Sequence, residues 1–296
     1  MVLARRFLPS TTLLQAFEAA ARLESFTAAA AELNLTQSAV SRQIRALEDL
    51  LGSTLFVREK QTVTLTVAGR TYAREIRNAL ELIGSATLRF RANPDGGTLD
   101  LAILPTFGTR WLAPRLPAFV ARHPGITVNL TTRLSRFDFS LDPVDAAIHF
   151  GKPIWPGGEL DFLMGEVVVP ACSPAVKAKY GFRDPRDLLA APLLHLTSRP
   201  DAWESWFAHH AVAPDGVRGM LFDQFATETQ AAMSGMGVAL LPKFLFQSEF
   251  DRGDLVEAVP FPAESRGAYH LAWPIDRRDH PPLLAFRAWI REAAAA

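Results

Sequence analysis

Apolar residues in the first third of the chain repeat at the spacing of an α-helix. Between Ser10 and Asn93 the sequence contains no Pro and is rich in Ala, Leu, Glu and Arg, so almost all of this part is predicted to be helical. A first helix carries one apolar stripe, and a long helix from Val67 to about Arg91 carries another. The two stripes are Leu13, Phe17, Ala20 and Ala21, and then Tyr72, Ile76, Leu80, Ile83 and Phe90.

The pattern changes after Asn93-Pro94-Asp95-Gly96-Gly97, which is the clearest break in the chain. Short apolar runs then alternate with helical stretches, of which Arg110–Arg122 is the first. This alternation predicts an α/β fold with mostly parallel sheets. The predicted strands are Thr98–Leu104, Ile126–Thr132, Val144–Phe150, Gly165–Pro170, Pro192–Thr197, Gly219–Asp223, Gly237–Leu241 and Ala268–Trp273.

Two short helices are predicted around the turn Asn34-Leu35-Thr36. The first is Ala28–Leu33, and Ser25-Phe26-Thr27 before it supplies capping residues. The second begins after Thr36, which can cap it, and ends before Gly52, which has the position of a C-terminal cap. Its core stripe is Val40, Ile44, Leu47 and Leu51.

The opposite face of this second helix is polar and has no acidic residue before Glu48. Hydroxyl groups and Arg can contact phosphates, and Gln and Arg can contact base edges. A tight turn between two such helices is typical of a helix-turn-helix, although the spacing also fits the solvated face of an ordinary bundle helix. The polar face consists of Gln37, Ser38, Ser41, Arg42 and Arg45.

The length of the chain suits a small domain beside a larger one, and its charge is unevenly distributed, although an imbalance of this size also occurs by chance. The chain has 296 residues and a net charge of zero, but residues 1–93 hold 12 Lys and Arg against 8 Asp and Glu, and the remainder holds 19 against 23. The basic part predicts an anionic partner. The lone Cys172 excludes an intrachain disulfide and a Cys-rich zinc site.

Several function classes lack support in the sequence. No secretory apolar run follows Arg5 and Arg6, and no stretch has the length of a membrane span, so we expect a cytoplasmic protein without membrane contact. Gly235-Met-Gly237 is an incomplete dinucleotide loop, and no pair of carboxylates is suited to acid–base chemistry. We therefore expect no enzymatic activity, no metal and no cofactor.

The segment Phe26–Gly52, FTAAAAELNLTQSAVSRQIRALEDLLG, resembles the signature of LysR-type transcriptional regulators. Leu55-Phe56-Val57-Arg58 and Thr66-Val67-Ala68-Gly69 are similar to the wing and the start of the linker in that family. The resemblance implies a regulator that binds double-stranded DNA and responds to a small-molecule effector. It also implies a homodimer or homotetramer and leaves open a contact with RNA polymerase.

The resemblance also implies a domain plan. An all-α winged helix-turn-helix would span residues 1–66, a dimerising linker helix residues 67–93, and an effector-binding domain residues 94–296. That last domain would resemble periplasmic binding proteins. Its lobe I would comprise residues 97–167 and 266–296, and its lobe II residues 168–265.

DNA-contacting positions follow from the same resemblance. The recognition helix would contribute residues to the major groove, Ser25 and Thr27 would contact the backbone, and the wing would approach the minor groove. Gln61 stands where many members of the family carry Arg. The predicted set is Ser25, Thr27, Thr36, Gln37, Ser38, Ser41, Arg42, Arg45, Arg58 and Lys60.

Effector contacts are expected directly after the strands, because ligands of open α/β sheets lie beyond the carboxyl ends of strands. Each candidate also has an ordinary structural interpretation, such as a helix cap, a solvated Arg, a buried His or a core Tyr. The predicted set is Thr106, Phe107, Ser135, Arg136, His149, Gln224, Phe225 and Tyr269.

A finer resemblance is to the subgroup of glycine-cleavage and β-lactamase regulators. It rests on Thr106-Phe107, Phe222-Asp223, Gly267-Ala268-Tyr269 and the pair Trp203 and Trp206, for which core packing at i, i+3 is the preferred interpretation. Two other classes remain for comparison. One is a solute-binding protein with a helical oligomerisation arm, and the other is an enzyme on the α/β domain.

Overall fold

The computed structural model describes residues 8–59, 62–92, 97–142 and 144–295. The chain forms two compact units, Met1–Pro94 and Asp95–Ala296. The first unit contains three helices, a two-stranded hairpin and a long helix. These elements are α1 (Thr11–Leu23), α2 (Phe26–Glu32), α3 (Gln37–Leu51), β1 (Phe56–Glu59), β2 (Thr62–Leu65) and α4 (Val67–Ala92).

Local capping sets the helix boundaries of the first unit. The side chains of Ser10, Ser25 and Thr36 each accept a backbone N–H in the first turn of α1, α2 and α3. Gly52 ends α3 in the left-handed conformation, with φ of 65°. Because Ser25 is the capping residue, α2 begins at Phe26 and not at Ala28 as predicted.

The antiparallel hairpin of β1 and β2 corrects the expectation of an all-α first domain. Phe56 on β1 is buried and its ring packs edge-on against Phe17 of α1 and Phe26 of α2, with centroids 5.7 and 5.2 Å apart. The hairpin lies where the resemblance to a wing predicts it, although helical periodicity in the flanking segments does not indicate it. The hairpin is therefore part of the core of this unit.

The second unit is built on two separate sheets. The first has five strands in the order β4-β3-β5-β13-β6. Strands β4, β3 and β5 are parallel, whereas β13 runs antiparallel to both of its neighbours. The strands are β3 (Gly97–Ile103), β4 (Ile126–Thr132), β5 (Ala146–Gly151), β6 (Gly158–Met164) and β13 (Ala268–Pro274).

In the second sheet, β7 pairs antiparallel with β10, β11 and β12. A parallel pair, β8 and β9, joins this region through a bridge between Leu193 and Val238. The strands are β7 (Val167–Cys172), β8 (Leu193–Leu196), β9 (Gly219–Phe222), β10 (Ala239–Pro242), β11 (Val256–Glu257) and β12 (Ala263–Glu264).

Helices of the second unit cover both sheets. Short 3-10 turns at Pro185–Ala190, Lys243–Leu245 and Ile275–Arg277 connect the elements. The helices are α5 (Pro105–Phe107), α6 (Leu116–Arg122), α7 (Pro174–Tyr180), α8 (Ala202–His209), α9 (Phe225–Met233), α10 (Gln247–Arg252) and α11 (Pro281–Ala295).

Two predictions for this unit were wrong, and three strands were missed. The sheets are not mostly parallel. The first sheet is mixed, because β13 runs antiparallel to β5 and β6, and the second sheet has only antiparallel pairs among its described strands. The helix predicted over Arg110–Arg122 is interrupted: a π-helical turn, Gly108–Leu112, precedes α6, and Pro114 between them lacks the N–H that a continuous helix needs. The strands β6, β11 and β12 were not predicted.

The chain passes between the two sheets twice. It leaves β6 at Met164 and enters β7 at Val167, and it leaves β12 at Glu264 and enters β13 at Ala268. The connecting segments are therefore 165–166 and 265–267. Any side chain in these segments lies where the two halves of the unit join.

Candidate functional site

The third helix of the first unit exposes its polar face and buries its apolar stripe except for Leu51 at its end, which is exposed. Val40, Ile44 and Leu47 are fully buried in the core formed with α1 and α2. The predicted DNA-contacting residues on this helix are Gln37, Ser38, Arg42 and Arg45, which are exposed, and Ser41, which is half-buried.

The exposed face of α3 carries uncompensated positive charge. Among the described residues, neither Arg42 nor Arg45 forms an ion pair with a carboxylate. Glu48, the first acidic residue of α3, accepts hydrogen bonds from the backbone N–H groups of Leu55 at 2.8 Å and Phe56 at 3.2 Å. Its charge is therefore directed toward the hairpin. The two guanidinium groups remain available to phosphates or base edges.

The hydroxyl groups predicted to contact DNA also cap helices. Ser25 Oγ and Thr36 Oγ1 accept the N–H groups of Ala28 and Ala39, each at 3.2 Å. Thr27, one residue into α2, is exposed. A capping hydroxyl uses a lone pair and keeps its own proton, so it can still donate to a phosphate oxygen.

The wing is only partly described. Arg58 lies on β1 in register with Val63 of β2. The predicted contact Lys60, and Gln61 beside it, lie outside the described residues. The backbone thus provides a hairpin at the expected place, and the minor-groove contact stays a prediction.

The long helix α4 has an apolar stripe that is buried only at its beginning. Ile76 is buried and Tyr72 packs against the ring of Phe17. Further along, Ile83 is 50% exposed and Phe90 is 69% exposed. An unpartnered apolar stripe on a helix of this length suits association with a second helix. Within the described ranges, no helix is both long and apolar enough to cross a membrane.

In the second unit, all eight predicted effector contacts line one cavity of about 470 Å³. This volume lies in the range of small-molecule sites. Six of the residues belong to the half built on the first sheet, and Gln224 and Phe225 come from the half built on the second. The residues selected by the rule that ligands lie beyond strand ends are distant in the chain, and the fold places them around one cavity.

Thr106 has a hydroxyl group that is free for a ligand. The residue is buried at the start of α5 and lines the cavity, and within the described chain its Oγ1 makes no hydrogen bond. The ring of Phe107 beside it is stacked between Trp111 and Tyr269, with centroids 4.8 and 4.6 Å away. Thr106 is thus a polar group on a rigid aromatic support.

Ser135 and Arg136 lie on the loop after β4 and are exposed at the cavity. Arg136 Nη1 donates to the carbonyl oxygen of Ile154 at 3.0 Å, which fixes the guanidinium and leaves its other nitrogens free. The neighbouring Arg133 is neutralised by Asp142, at 2.9 Å. Arg136 is therefore the stronger candidate for an anionic group of a ligand.

His149 is a neutral imidazole in the wall of the cavity. Burial lowers the pKa of His149 to about 4, and the nearby His270 and Arg136 act in the same direction. Its ring lies 5.3 Å from that of Trp155 and 5.5 Å from that of His270. Within the described chain, its buried Nε2 has no hydrogen-bond partner.

Gln224 and Phe225 mark the start of α9. The Gln224 side chain makes no capping hydrogen bond, so it is not used to end the helix. Phe225 packs against Phe246 and lies beneath the guanidinium of Arg199, 4.7 Å from the ring centroid. Asp223, one residue earlier, is an exposed acidic group of the same cavity.

Tyr269 is built into an internal network rather than presented to a ligand. Its hydroxyl group donates to Glu166 Oε2 at 2.8 Å. Glu166 also accepts from Ser265 Oγ at 2.7 Å and forms a bidentate ion pair with Arg199. The guanidinium of Arg199 lies 3.8 Å from the ring centroid of Phe150. The hydroxyl group of Tyr269 is therefore already hydrogen-bonded within the protein, and an effector contact of Tyr269 stays a prediction.

Glu166 and Arg199 are functional candidates that the sequence patterns did not indicate. The Glu166 side chain is fully buried and that of Arg199 is 13% exposed. Both follow strands closely, Glu166 after β6 and Arg199 after β8. The rule of residues beyond strand ends would have selected Arg199 and, had β6 been recognised, Glu166.

Two family models match this chain, one in each of its parts. Residues 11–70 match the bacterial regulatory helix-turn-helix family of lysR type, and residues 92–295 match the LysR substrate-binding domain. The glycine cleavage system transcriptional activator of Escherichia coli K12 is 37% identical over 291 residues, covering 98% of this chain and 95% of that protein. The transcriptional activator AmpR of Pseudomonas aeruginosa is 36% identical, and 95% of each chain is covered.

Solved structures agree. The effector domain of AmpR from Pseudomonas aeruginosa is 33% identical, has a TM-score of 0.62, and covers 67% of this chain and 96% of its own. Full-length CbnR, a LysR family regulator, shares the fold with a TM-score of 0.67 at 23% identity, covering 96% of this chain and 99% of its own. This chain belongs to the LysR family of bacterial transcriptional regulators, with a helix-turn-helix that binds DNA and a domain that binds a small-molecule effector.

Proposed function

We propose that the exposed face of α3 is the recognition surface of this regulator. Gln37, Ser38, Ser41, Arg42 and Arg45 enter the major groove. Ser25, Thr27 and Thr36 contact the phosphate backbone, and Arg58 and Lys60 of the wing approach the minor groove. The observation that carries this proposal is a helix that buries Val40, Ile44 and Leu47 and whose two exposed Arg residues have no carboxylate partner in the described chain.

Arg42→Ala tests the recognition surface. DNA from the region upstream of the protein's own gene is titrated in a gel shift, with sedimentation to follow the oligomer. We expect roughly a 10- to 100-fold loss of specific affinity with an unchanged oligomer, as for the loss of one bidentate base contact. Arg186→Ala removes the same charge from an exposed position in the second unit and is the matched control. Equal affinity of both variants would contradict the assignment.

We propose that self-association uses the exposed half of the apolar stripe on α4. Ile83, Leu88 and Phe90 are between 50% and 69% exposed in the single chain. In this plan residues 1–66 bind DNA, residues 67–93 dimerise and residues 94–296 bind the effector. Lobe I comprises 97–166 with 266–296, and lobe II begins at Val167, because Val167 already pairs with Glu264 in the second sheet.

We propose that the 470 Å³ cavity is the effector site and that its predicted contacts divide into two roles. Thr106, Ser135, Arg136 and Gln224 supply hydrogen bonds and charge. The remaining residues shape the cavity, since His149 is neutral and the hydroxyl group of Tyr269 donates a hydrogen bond to Glu166. Phe107 and Phe225 supply apolar walls.

A thermal-shift screen of the full chain tests the effector site. Amino acids, aromatic acids and cell-wall fragments are suitable probes, because a ligand that binds only the folded state raises the melting temperature. We expect a compound that stabilises the wild type to lose this effect in Thr106→Val. Stabilisation that is equal in the two proteins would place its binding site elsewhere.

We also propose that the chain is no enzyme and acts in the bacterial cytoplasm, where its DNA is. The buried carboxylate of Glu166 is engaged by Arg199, Ser265 and Tyr269, so its oxygens are already used within the protein. As the relatives are named as activators, we propose activation as the sense of regulation. A contact with RNA polymerase is consistent with that role.

A further inference from the structure

A second cavity, of about 340 Å³, lies beside the candidate effector site. Its floor consists of buried residues of the half built on the second sheet, among them Leu194, Leu240, Trp203 and Trp206. Arg199 lines both cavities. The two sites therefore share one wall and differ in their floors.

The second cavity is lined by a buried carboxyl group, one oxygen atom of which has no hydrogen-bond partner in the described chain. Glu228, on α9, is 1% exposed, and in the described chain its Oε2 makes no hydrogen bond. Burial raises the pKa of Glu228 well above its usual value, although Arg199 opposes the change. A neutral carboxyl group both donates and accepts a hydrogen bond, and leaving these groups unpaired in an apolar floor is costly.

Both indoles of the floor are already satisfied. Trp203 Nε1 donates to the carbonyl oxygen of Leu194 at 2.6 Å, and Trp206 Nε1 donates to that of Phe261 at 3.0 Å. Both residues are 1% exposed, so only a small apolar part of each ring lines the cavity, and they offer an occupant no polar group. Glu228 remains as the polar group of the floor that can fix an occupant's orientation.

The mouth of the second cavity has balanced charge. Lys152, Asp201, Glu264 and Arg266 are exposed there, and Arg266 lies 3.9 Å from Asp201. This balance favours neither an anion nor a cation. Its volume lies within the range of small-molecule sites.

From this geometry we infer that the second cavity is a binding site for a small neutral molecule that has an aromatic or aliphatic ring and one amide or hydroxyl group. The ring packs on Trp203 and Trp206, and the polar group pairs with the neutral carboxyl group of Glu228. A primary amide fits best, because it donates and accepts side by side as the carboxyl group does. The two cavities have different floors although they share Phe150, Gly151, Lys152, Leu196, Ser198 and Arg199, and the inference does not depend on the role proposed for the effector cavity.

Fluorine NMR of the full chain labelled with 5-fluorotryptophan tests this inference, with benzamide as the probe. The chain has six Trp residues, of which Trp203 and Trp206 line the second cavity and Trp155 lines the first. Single Trp→Phe substitutions assign the signals. We expect saturable shifts of the Trp203 and Trp206 signals with a Kd of about 10 mM or below, and an unmoved Trp155 signal.

Two variants of Glu228 make the test specific. Glu228→Met has a similar length and no hydrogen bond, and we expect it to weaken benzamide binding about tenfold or more. Glu228→Gln keeps a donor and an acceptor, and we expect its Kd to stay within about threefold of the wild type. The unmoved signals of the other Trp residues report that each variant is folded.

Three results would overturn the inference. Shifts confined to Trp155 would place benzamide in the first cavity, and so would bear on the effector site alone. If Glu228→Met bound benzamide as tightly as the wild type does, the carboxyl group would not take part in recognition. An absence of shifts up to about 10 mM would mean that only water occupies the cavity.

Discussion

The hydroxyl group of Tyr269 donates a hydrogen bond of 2.8 Å to Glu166, a residue that lies in one of the two segments joining the sheets of the effector domain. Ser265, in the other joining segment, donates to the same carboxylate at 2.7 Å. Arg199 completes the group with a bidentate ion pair. The carboxylate of Glu166 therefore connects the two joining segments with Tyr269 on β13 of lobe I and with Arg199 on the loop after β8 of lobe II.

Tyr269→Phe is expected to destabilise the effector domain. The substitution leaves the ring in place and removes one donor from a buried charged group, which typically costs about 1–3 kcal/mol. For a domain of this size the melting temperature should fall by about 2–4 °C for each kcal/mol. Calorimetry of the full chain measures the shift, and an unchanged transition would contradict the role of this hydrogen bond.

Thr106→Val provides the contrast. Its hydroxyl group makes no hydrogen bond within the described chain, so the loss of this group should leave the melting temperature of the free protein within about 1 °C. Its effect should appear in the response to an effector. A large fall in stability would show that the Thr106 hydroxyl group is structural.

The recognition helix could be predicted from sequence because its determinants are local. Its apolar stripe repeats every three or four residues, Thr36 caps its start and Gly52 ends it. Each of these signals lies within one or two turns of the residue that it governs. The same is true of the strand ends that led to Thr106, Ser135 and Gln224.

The strand β6 and the Glu166 network could not be predicted because their determinants are distant in the chain. On β6, Glu159 and Asp161 are ion-paired with Arg278 and Arg287, more than 100 residues away, and no local pattern indicates these distant partners. Glu166 reaches partners 33, 99 and 103 residues away. No local pattern indicates which buried charges will be paired.

DNA affinity is expected to fall steeply with salt. Each Lys or Arg that neutralises a phosphate contributes about −0.9 to the slope of log affinity against log salt concentration. Arg45→Ala should reduce the magnitude of the slope by about 1 if Arg45 contacts a phosphate, and Arg186→Ala should leave it unchanged. Fluorescence anisotropy at several salt concentrations measures both slopes, and a slope near zero for the wild type would argue against phosphate contacts.

His149 is expected to titrate with a midpoint near pH 4, since burial lowers its pKa from 6.5 to about 4. The unfolded chain then binds more protons than the folded chain in this interval, so stability is lost as the pH falls from 6.5 toward 4. NMR of the imidazole ring protons gives the midpoint. His149→Gln should show a shallower loss of stability than the wild type over the same interval, and parallel curves would contradict the shifted pKa.

The contribution of Glu228 to folding stability should depend on pH in the opposite direction to that of His149. Burial raises its pKa well above 4.5, so the folded chain holds a proton that the unfolded chain loses, and the stability of the wild type falls as the pH rises above about 4.5. Glu228→Met removes this penalty and an unpartnered buried group, and replacing such a group by an apolar one of similar shape is neutral or stabilising. We therefore expect Glu228→Met to melt at or above the temperature of the wild type, with a difference that grows as the pH rises above about 4.5.

Glu228→Gln serves as the control for the Glu228 prediction. It removes the titrating proton but keeps two buried polar atoms, so its gain should be smaller than that of Glu228→Met and should grow with pH in the same direction. Thermal unfolding of the three proteins at matched ionic strength gives the comparison. If Glu228→Met melted below the wild type at pH 8, Glu228 would have to be ionised and paired in the folded chain, and the neutral carboxyl group required by the second cavity would be excluded.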